Sequence, residues 1–375
     1  MNVPASTYDA VVIGAGIVGA ACAAALSSEG LRVIVIDKEG IATGTTAAGM
    51  GHIVIMDDSE AQFALTRYSQ ALWNRFAEEM PENCEYEHCG TIWVAADDDE
   101  MHEVRRKNAY YAERGVATEI LDSKALHEAE PNLGEHLLGG LLVSGDTVVY
   151  QLTATSSLIE RAVKDRAELR FGEAVTDVSD AGVKLSNGEL IPADIIVNAA
   201  GAHAGELTPQ LNIKKRKGHL VITERYEGFA SHQLVELGYL KSAHGSATES
   251  VAFNVQPRTT GQVLLGSSRQ FGVETSEVDR DILSRMTTRV FEYMPKLRDL
   301  AAVRVWTGFR PATPDNLPYI GKIPGFENVY AAAGHEGLGI TTALGTAQIL
   351  ADEIMGRAPA IESGSYHPSR DLQLH

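Results

Sequence analysis

This 375-residue sequence predicts an α/β fold organised on a parallel sheet, and three stretches predict it. Residues 8–39 read as an apolar strand (10–13), a glycine-rich turn, a helix running to Gly30 and a second apolar strand (32–36). Residues 194–201, DIIVNAAG, form a continuous apolar run ending in small residues, the composition of a strand covered on both faces. Residues 329–355 repeat the first order: strand 329–333, then GHEGLGITTALGTA from Gly334, then a helix to Met355.

In the first stretch Gly14, Gly16 and Gly19 spell G-x-G-x-x-G between strand and helix, the context that marks a Rossmann-like dinucleotide site. The glycines supply a tight turn, room for a pyrophosphate against the backbone, and close packing of helix on strand. Ile17 and Val18 open the helix, whose unpaired N–H groups and positive end face the pyrophosphate. Asp37, eighteen residues after Gly19 and beside Lys38, ends the second strand, where a carboxylate accepts ribose hydroxyls and repels a 2′-phosphate. The competing reading is a signal peptide or membrane helix, because residues 10–26 carry no charge. That run is shorter than the roughly 20 residues a bilayer demands, and no Lys or Arg precedes it.

At roughly 150 residues per domain the length gives about two domains. The formal net charge of −18 argues against nucleic acid and anionic membrane surfaces, and means that a carboxylate substrate needs a local cation. Cys22, Cys84 and Cys89 are too few for a four-ligand metal or iron–sulfur site, and without an export signal they point to a reducing, cytoplasmic setting.

Residues 41–52, IATGTTAAGMGH, are nearly all small. Such a loop lays N–H groups and the Thr45 and Thr46 hydroxyls against a flat cofactor, or is simply a flexible linker. Residues 59–80 read as a helix opened by Ser59, 85–96 as strand, and 97–115 as a charged helix whose acids 97–100 form a solvated first turn. A helix (152–165), a strand (169–171) and hairpin pieces (172–178, 182–186) with a turn at Asn187 and Gly188 follow. The basic run 214–217, KKRK, reads as a turn into strand 219–223. Residues 251–256 and 261–268 pair as a hairpin, and 278–294 form a helix. The proline-rich stretch 307–321, TGFRPATPDNLPYIG, reads as an irregular loop with one cation, Arg310.

Taken in this order, the first motif, TTAAG, DIIVNAAGAHA, GFRPATPDNLPYIG and GHEGLGIT resemble the FAD-dependent amino-acid oxidoreductases over nearly the whole chain. That is the family of D-amino acid oxidase, glycine oxidase and sarcosine oxidase. VAFNVQPRTTGQVLLGSSRQFG and GHEGLGITTALGTA are most similar to D-hydroxyproline dehydrogenase flavoproteins and to the flavin subunit of hydrogen cyanide synthase. The resemblance implies a discontinuous FAD-binding Rossmann-like domain (1–80, 146–210, 305–375) and an α+β substrate domain with an antiparallel sheet (81–145, 211–304). It implies non-covalent FAD, since the Cys that sarcosine oxidases use has no counterpart in residues 306–310.

By the same resemblance Gly14, Gly16 and Gly19 hold the pyrophosphate and Asp37 the adenosine ribose. Thr45, Thr46, Gly49 and Gly51 lie along pyrophosphate and flavin, Val175 meets adenine through its backbone, and Ala200 and Gly201 flank the cofactor. Gly334, His335, Glu336, Gly337, Leu338, Gly339 and Ile340 bring N–H groups to the flavin N1–C2 carbonyl edge. Arg310 grips the substrate carboxylate as a bidentate pair, which sets the Cα–H at flavin N5 for hydride transfer. Several family members carry a Tyr on the strand where this chain has Ala252, Phe253 and Asn254, so the resemblance implies no hydroxyl as second carboxylate contact and leaves Asn254 or Gln256 as its candidate replacement. His52 and His335 are candidates for tuning the flavin or touching substrate, against the plainer reading of satisfied structural histidines. For Glu336 the plainer reading is a helix cap.

The resulting expectation is oxidation of the C–N bond of a small amino acid, foremost D-hydroxyproline, by a dehydrogenase. A glycine- or sarcosine-type oxidase producing hydrogen peroxide is the first alternative, and a non-catalytic flavin- or nucleotide-binding subunit the second. A dehydrogenase needs a quinone or partner subunits as electron acceptor, which implies an oligomeric cytoplasmic enzyme peripheral to a membrane electron-transfer chain.

Overall fold

The computed structural model describes residues 8–238 and 249–373. Two large sheets organise them. The first has six strands in the spatial order Tyr319–Lys322, Val329–Ala333, Ala193–Asn198, Tyr8–Ile13, Val33–Asp37, Glu168–Phe171. Tyr319–Lys322 runs antiparallel to its neighbour and the other pairings are parallel. Alternate residues of Tyr8–Ile13 enter different cores: Ala10 and Val12 face the helices, Val11 and Ile13 the opposite side. On the helical side, Ile17–Ser28 lies between Gln151–Lys164 and Gly339–Ile354, and its glycine and alanines let all three approach the sheet closely. The other side is covered by a small sheet of Val175–Ser179, Gly182–Leu185 and Leu190–Ile191.

The second sheet has eight strands: Ala302–Ala312, Lys214–Thr223, Val263–Phe271, Glu249–Pro257, Gln233–Glu236, Thr91–Ala95, Gly139–Val143 and Thr118–Asp122. Its pairings are antiparallel except for Gln233–Glu236 beside Thr91–Ala95. Phe253, Val255, Val263 and Leu265 bury one face against the helix Arg280–Tyr293, and Phe253 stacks on Tyr293 at 4.7 Å between ring centroids. The alternate residues look toward the nucleotide sheet.

Four local expectations change. The stretch 307–321 is not one irregular loop: Ala302–Ala312 and Tyr319–Lys322 are strands, and Arg310 stands on the first. Pro311 is tolerated there because this is an edge strand, with a ladder on one side only. The basic run 214–217 is not a turn but the start of the strand Lys214–Thr223, zipped to Ala302–Ala312 from Lys214 opposite Ala312 onward. The expected strand 85–96 shrinks to Thr91–Ala95, preceded by a 3-10 turn at Glu82–Cys84 and by Glu85 at φ +49°. Of the acids at 97–100, Asp97 caps the helix by accepting from Glu100 N, but Glu100 is buried and accepts from Ala96 N at 2.8 Å.

No helix among the described residues is long and apolar enough to cross a membrane. Nor do three or more His, Cys, Asp or Glu side chains among them gather to hold a metal ion.

Candidate active site

The two sheets enclose a cavity of about 1070 Å³. It begins where the parallel strands end, at Gly14, Gly16, Ile17, Val18, Asp37 and Lys38, with Val175, Ala200 and Gly201 beside them. It passes under Thr45, Thr46, Gly49 and His52 and along His335, Glu336, Gly337, Leu338, Gly339 and Ile340. It ends on the inner face of the eight-stranded sheet, at Arg310 and Asn254. Residues from both ends of the sequence and from its middle therefore wall one continuous space. Its volume exceeds what a small amino acid fills.

Three of the expected glycines do not line it. A Cβ at Gly19 would lie 1.9 Å from the Gly14 carbonyl oxygen, and one at Gly51 would lie 1.7 Å from that of Val149. At Gly334 (φ +85°) it would meet the Thr313 methyl at 2.5 Å. Each is required by neighbouring protein atoms at the cavity wall, not by the space itself.

The nucleotide end is held by polar contacts within the protein. Asp37 accepts from Ala15 N at 2.8 Å through one carboxylate oxygen and from Glu39 N and Gly40 N through the other. This fixes the carboxylate at the strand end. Thr46 Oγ1 accepts from Ile17 N at 3.0 Å and caps the first helix, and Thr45 donates to the Phe309 carbonyl at 2.7 Å. Both hydroxyls thus tie the loop down, a use its composition did not disclose. Glu336 N–H is likewise taken by Pro311 O, and Leu338 N–H by His335 O. The bare backbone at Gly14 and Gly16, the helix start behind it and an unbroken path to Arg310 fit an extended dinucleotide with a flavin at its far end.

At the other end Arg310 Nη1 donates to the Ser268 carbonyl at 2.9 Å, and the guanidinium lies over Gly218, where a Cβ would come within 2.8 Å of it. Opposite it in register stands Arg216, which lies over the Phe271 ring at 4.4 Å. Glu336, held at φ +49°, meets Arg216 at 3.0 Å and Arg269 at 3.9 Å. Burial pushes its carboxyl upward, but the guanidiniums of Arg269, Arg310 and Arg216 outweigh that and hold it down at about 2. It is a buried counter-ion, not a helix cap. Glu336→Gln is expected to destabilise the fold by about 3–5 kcal/mol, because breaking a buried pair leaves charge uncompensated. A melting temperature equal to that of the wild type would refute this.

Burial holds both His52 and His335 down at about 3, so both imidazoles are neutral at pH 7. His335 Nε2 shares a hydrogen bond with Thr346 Oγ1 at 3.0 Å, whereas His52 Nε2 has no partner among the described residues and His52 lines the cavity. These shifts fix a pH dependence. The unfolded chain takes up protons on both histidines below about pH 6.5 and on Glu336 below about pH 4.5. The folded state takes them up only near 3 and 2. Asp146, pushed up to about 7 by burial, takes up its proton in the folded state first and offsets about one of the two histidines. Melting temperature should therefore still fall on acidification from pH 6.5 to 4, with the slope of a single histidine; a flat or rising profile would contradict it.

Asn254 and Gln256 take separate roles. Asn254 faces the main cavity, while Gln256 accepts from Gly51 N at 2.9 Å and lines a second cavity of about 310 Å³ behind that loop. Sequence reasoning missed Arg216, Arg269, Gln62, Trp93, Gln233 and Ser267, which also line the main cavity. A signal for Arg216 existed. Positions 216, 218 and 220 alternate with Lys217, His219 and Val221, and the first set lines the cavity.

The sequence profile of the family described as FAD dependent oxidoreductase matches residues 9–353. A glycine oxidase from Pseudomonas aeruginosa is 27% identical over 390 residues, covering 96% of this chain and 99% of that protein. The hydrogen cyanide synthase subunit HcnC from the same organism is 28% identical over 92% of this chain and 91% of that protein. Among solved structures, glycine oxidase from Geobacillus kaustophilus matches with a TM-score of 0.88 at 24% identity, over 97% of this chain and 98% of that one, a likeness of fold.

Proposed function

This chain belongs to the FAD-dependent oxidoreductase family, and from that premise we propose that it oxidises the C–N bond of a small amino acid, foremost D-hydroxyproline, as a dehydrogenase with non-covalently held FAD. The observation that carries this reading is the seat of Arg310, a guanidinium braced over Gly218 in the cavity that begins at the dinucleotide motif. FAD, when bound, supplies the hydride acceptor.

The protein's part is binding and orientation. Arg310 takes the substrate carboxylate, and its hydrogen bond to Ser268 O fixes the plane of the fork. Arg216 and Arg269 add positive charge that Glu336 only partly offsets. That charge disfavours an ammonium group, so the amine is held neutral with its lone pair available. The neutral His52 and His335 add no charge of their own at pH 7. Loop 43–50 and the 335–340 turn line the same space and bound it on the nucleotide side.

The relatives' names bear on where the electrons go. A glycine-type oxidase would pass electrons to oxygen, whereas membership of a complex, as in the hydrogen cyanide synthase subunit, would pass them to a partner or quinone. Anaerobic addition of hydroxy-D-proline, D-proline, D-alanine, glycine and sarcosine to the yellow protein is expected to bleach the flavin for at least one of them. Slow recovery in air with fast recovery by an artificial dye identifies a dehydrogenase, and rapid peroxide formation an oxidase. A protein that binds FAD but is bleached by no amino acid would reject the proposal.

A further inference from the structure

The inner face of the eight-stranded sheet carries a row of residues that the carboxylate-binding reading leaves without a task. Arg310 donates to Ser268 O on Val263–Phe271. From that strand outward, Gly266 stands opposite Asn254, Asn254 opposite Val235, and Val235 beside Trp93 in register. Three strand steps span roughly 14 Å. A glycine or sarcosine anchored on Arg310 would leave most of this row uncovered.

Polar atoms along it lack partners. Among the described residues Asn254 Oδ1, Gln233 Oε1, Trp93 Nε1 and Ser267 Oγ on the sheet, and Gln62 Oε1 on the helix Glu60–Ala77, make no hydrogen bond. Their residues are 9%, 2%, 3%, 3% and 6% exposed and all line the cavity. Buried polar atoms are costly unless something completes them, so their gathering around one cavity marks a ligand surface. The set mixes amide oxygens, which accept, with an indole N–H, which donates only. A group that both donates and accepts satisfies such a set, and hydroxyls and carboxamides do so. A second carboxylate is less suited. The arginines nearest to it already face Glu336, and the one charged side chain lining the cavity between residues 52 and 62 is the exposed Asp58.

We propose that the site takes an amino acid bearing an uncharged hydroxyl or carboxamide beyond its α-carbon, held by Asn254, Gln233 and Trp93. The proposal rests on the amino-acid-oxidising function argued above and narrows its substrate class. A site built to bond a hydroxyl rejects the analogue without it, because its own polar groups are then left unpaired.

The test uses the FAD-loaded enzyme and matched pairs in both enantiomers: hydroxyproline against proline, serine against alanine, and asparagine against 2-aminobutyrate. Initial rates of anaerobic flavin bleaching give kcat/KM for each. The polar member should exceed its apolar partner at least tenfold in the pairs that are turned over. In Asn254→Ala and in Gln233→Ala, prepared separately, that ratio should fall about tenfold while flavin content and melting temperature are kept. Equal or better use of the apolar members by the wild-type enzyme would overturn this inference and leave the wider function standing. Bleaching by no amino acid would remove both. A ratio unchanged in both variants would assign those side chains to structure and overturn the proposal.

Discussion

Arg310→Leu is expected to lower kcat/KM by roughly 30- to 5,000-fold, mostly through KM, while the purified protein stays yellow. The range is the cost of truncating one partner of a buried, hydrogen-bonded charge pair, about 2–5 kcal/mol. Arg310 is placed for this effect by protein contacts alone. Its Nη1 is fixed by Ser268 O, Gly218 leaves room beneath it, and Gly337 lies alongside, where an added Cβ would sit 3.7 Å from Nε. None of these touches the nucleotide end, so FAD retention should not change. Arg310→Lys is the informative second variant. It keeps the charge but loses the planar fork, so a partial rescue of kcat/KM assigns the remainder to bidentate geometry. Wild-type kinetics in the Leu variant would remove Arg310 from substrate binding.

Gly19→Ala is expected to abolish FAD retention and to lower the melting temperature. The added carbon would fall 1.9 Å from the Gly14 carbonyl oxygen and 3.4 Å from the Ala199 side chain. The first obstacle is backbone, so no rotamer relieves it. The helix Ile17–Ser28 must lift from its strand, which distorts the turn at Gly14 and Gly16. Overpacking of this kind costs about 1–3 kcal/mol in stability alone. Gly30→Ala is the control. At φ +84° with nothing within 4 Å of a new Cβ, it should cost about 1 kcal/mol from backbone strain and keep its flavin. If Gly19→Ala binds FAD as the wild type does, the close packing of helix on strand is not what builds the cradle.

Local determinants were readable in the chain. The strand, turn and helix of residues 8–39 follow from glycines and apolar periodicity within one short stretch, and the structure forms them nearly where expected, ending the helix at Ser28. The helix Glu60–Ala77 begins at Ser59, whose side chain accepts from Gln62 N as a capping serine does. Proline misled at 307–321, because whether Pro311 ends a strand depends on which side of it lies unpaired. The strands Thr118–Asp122, Gly139–Val143 and Gln233–Glu236 escaped notice because they are short and lack the alternation that marks a half-covered strand.

The sequence by itself determined the nucleotide turn with its acid at Asp37, the second glycine-hinged helix start, and the presence of one arginine at position 310, since each is written in neighbouring residues. Tertiary structure alone decided that Arg216 faces Glu336 across 120 positions of chain, that Asn254 and Trp93 share one wall, and that Thr46 caps a helix 29 residues before it. Those relations depend on strand register and on which face each residue turns inward. Register is set by pairing between distant segments, a property no local stretch contains.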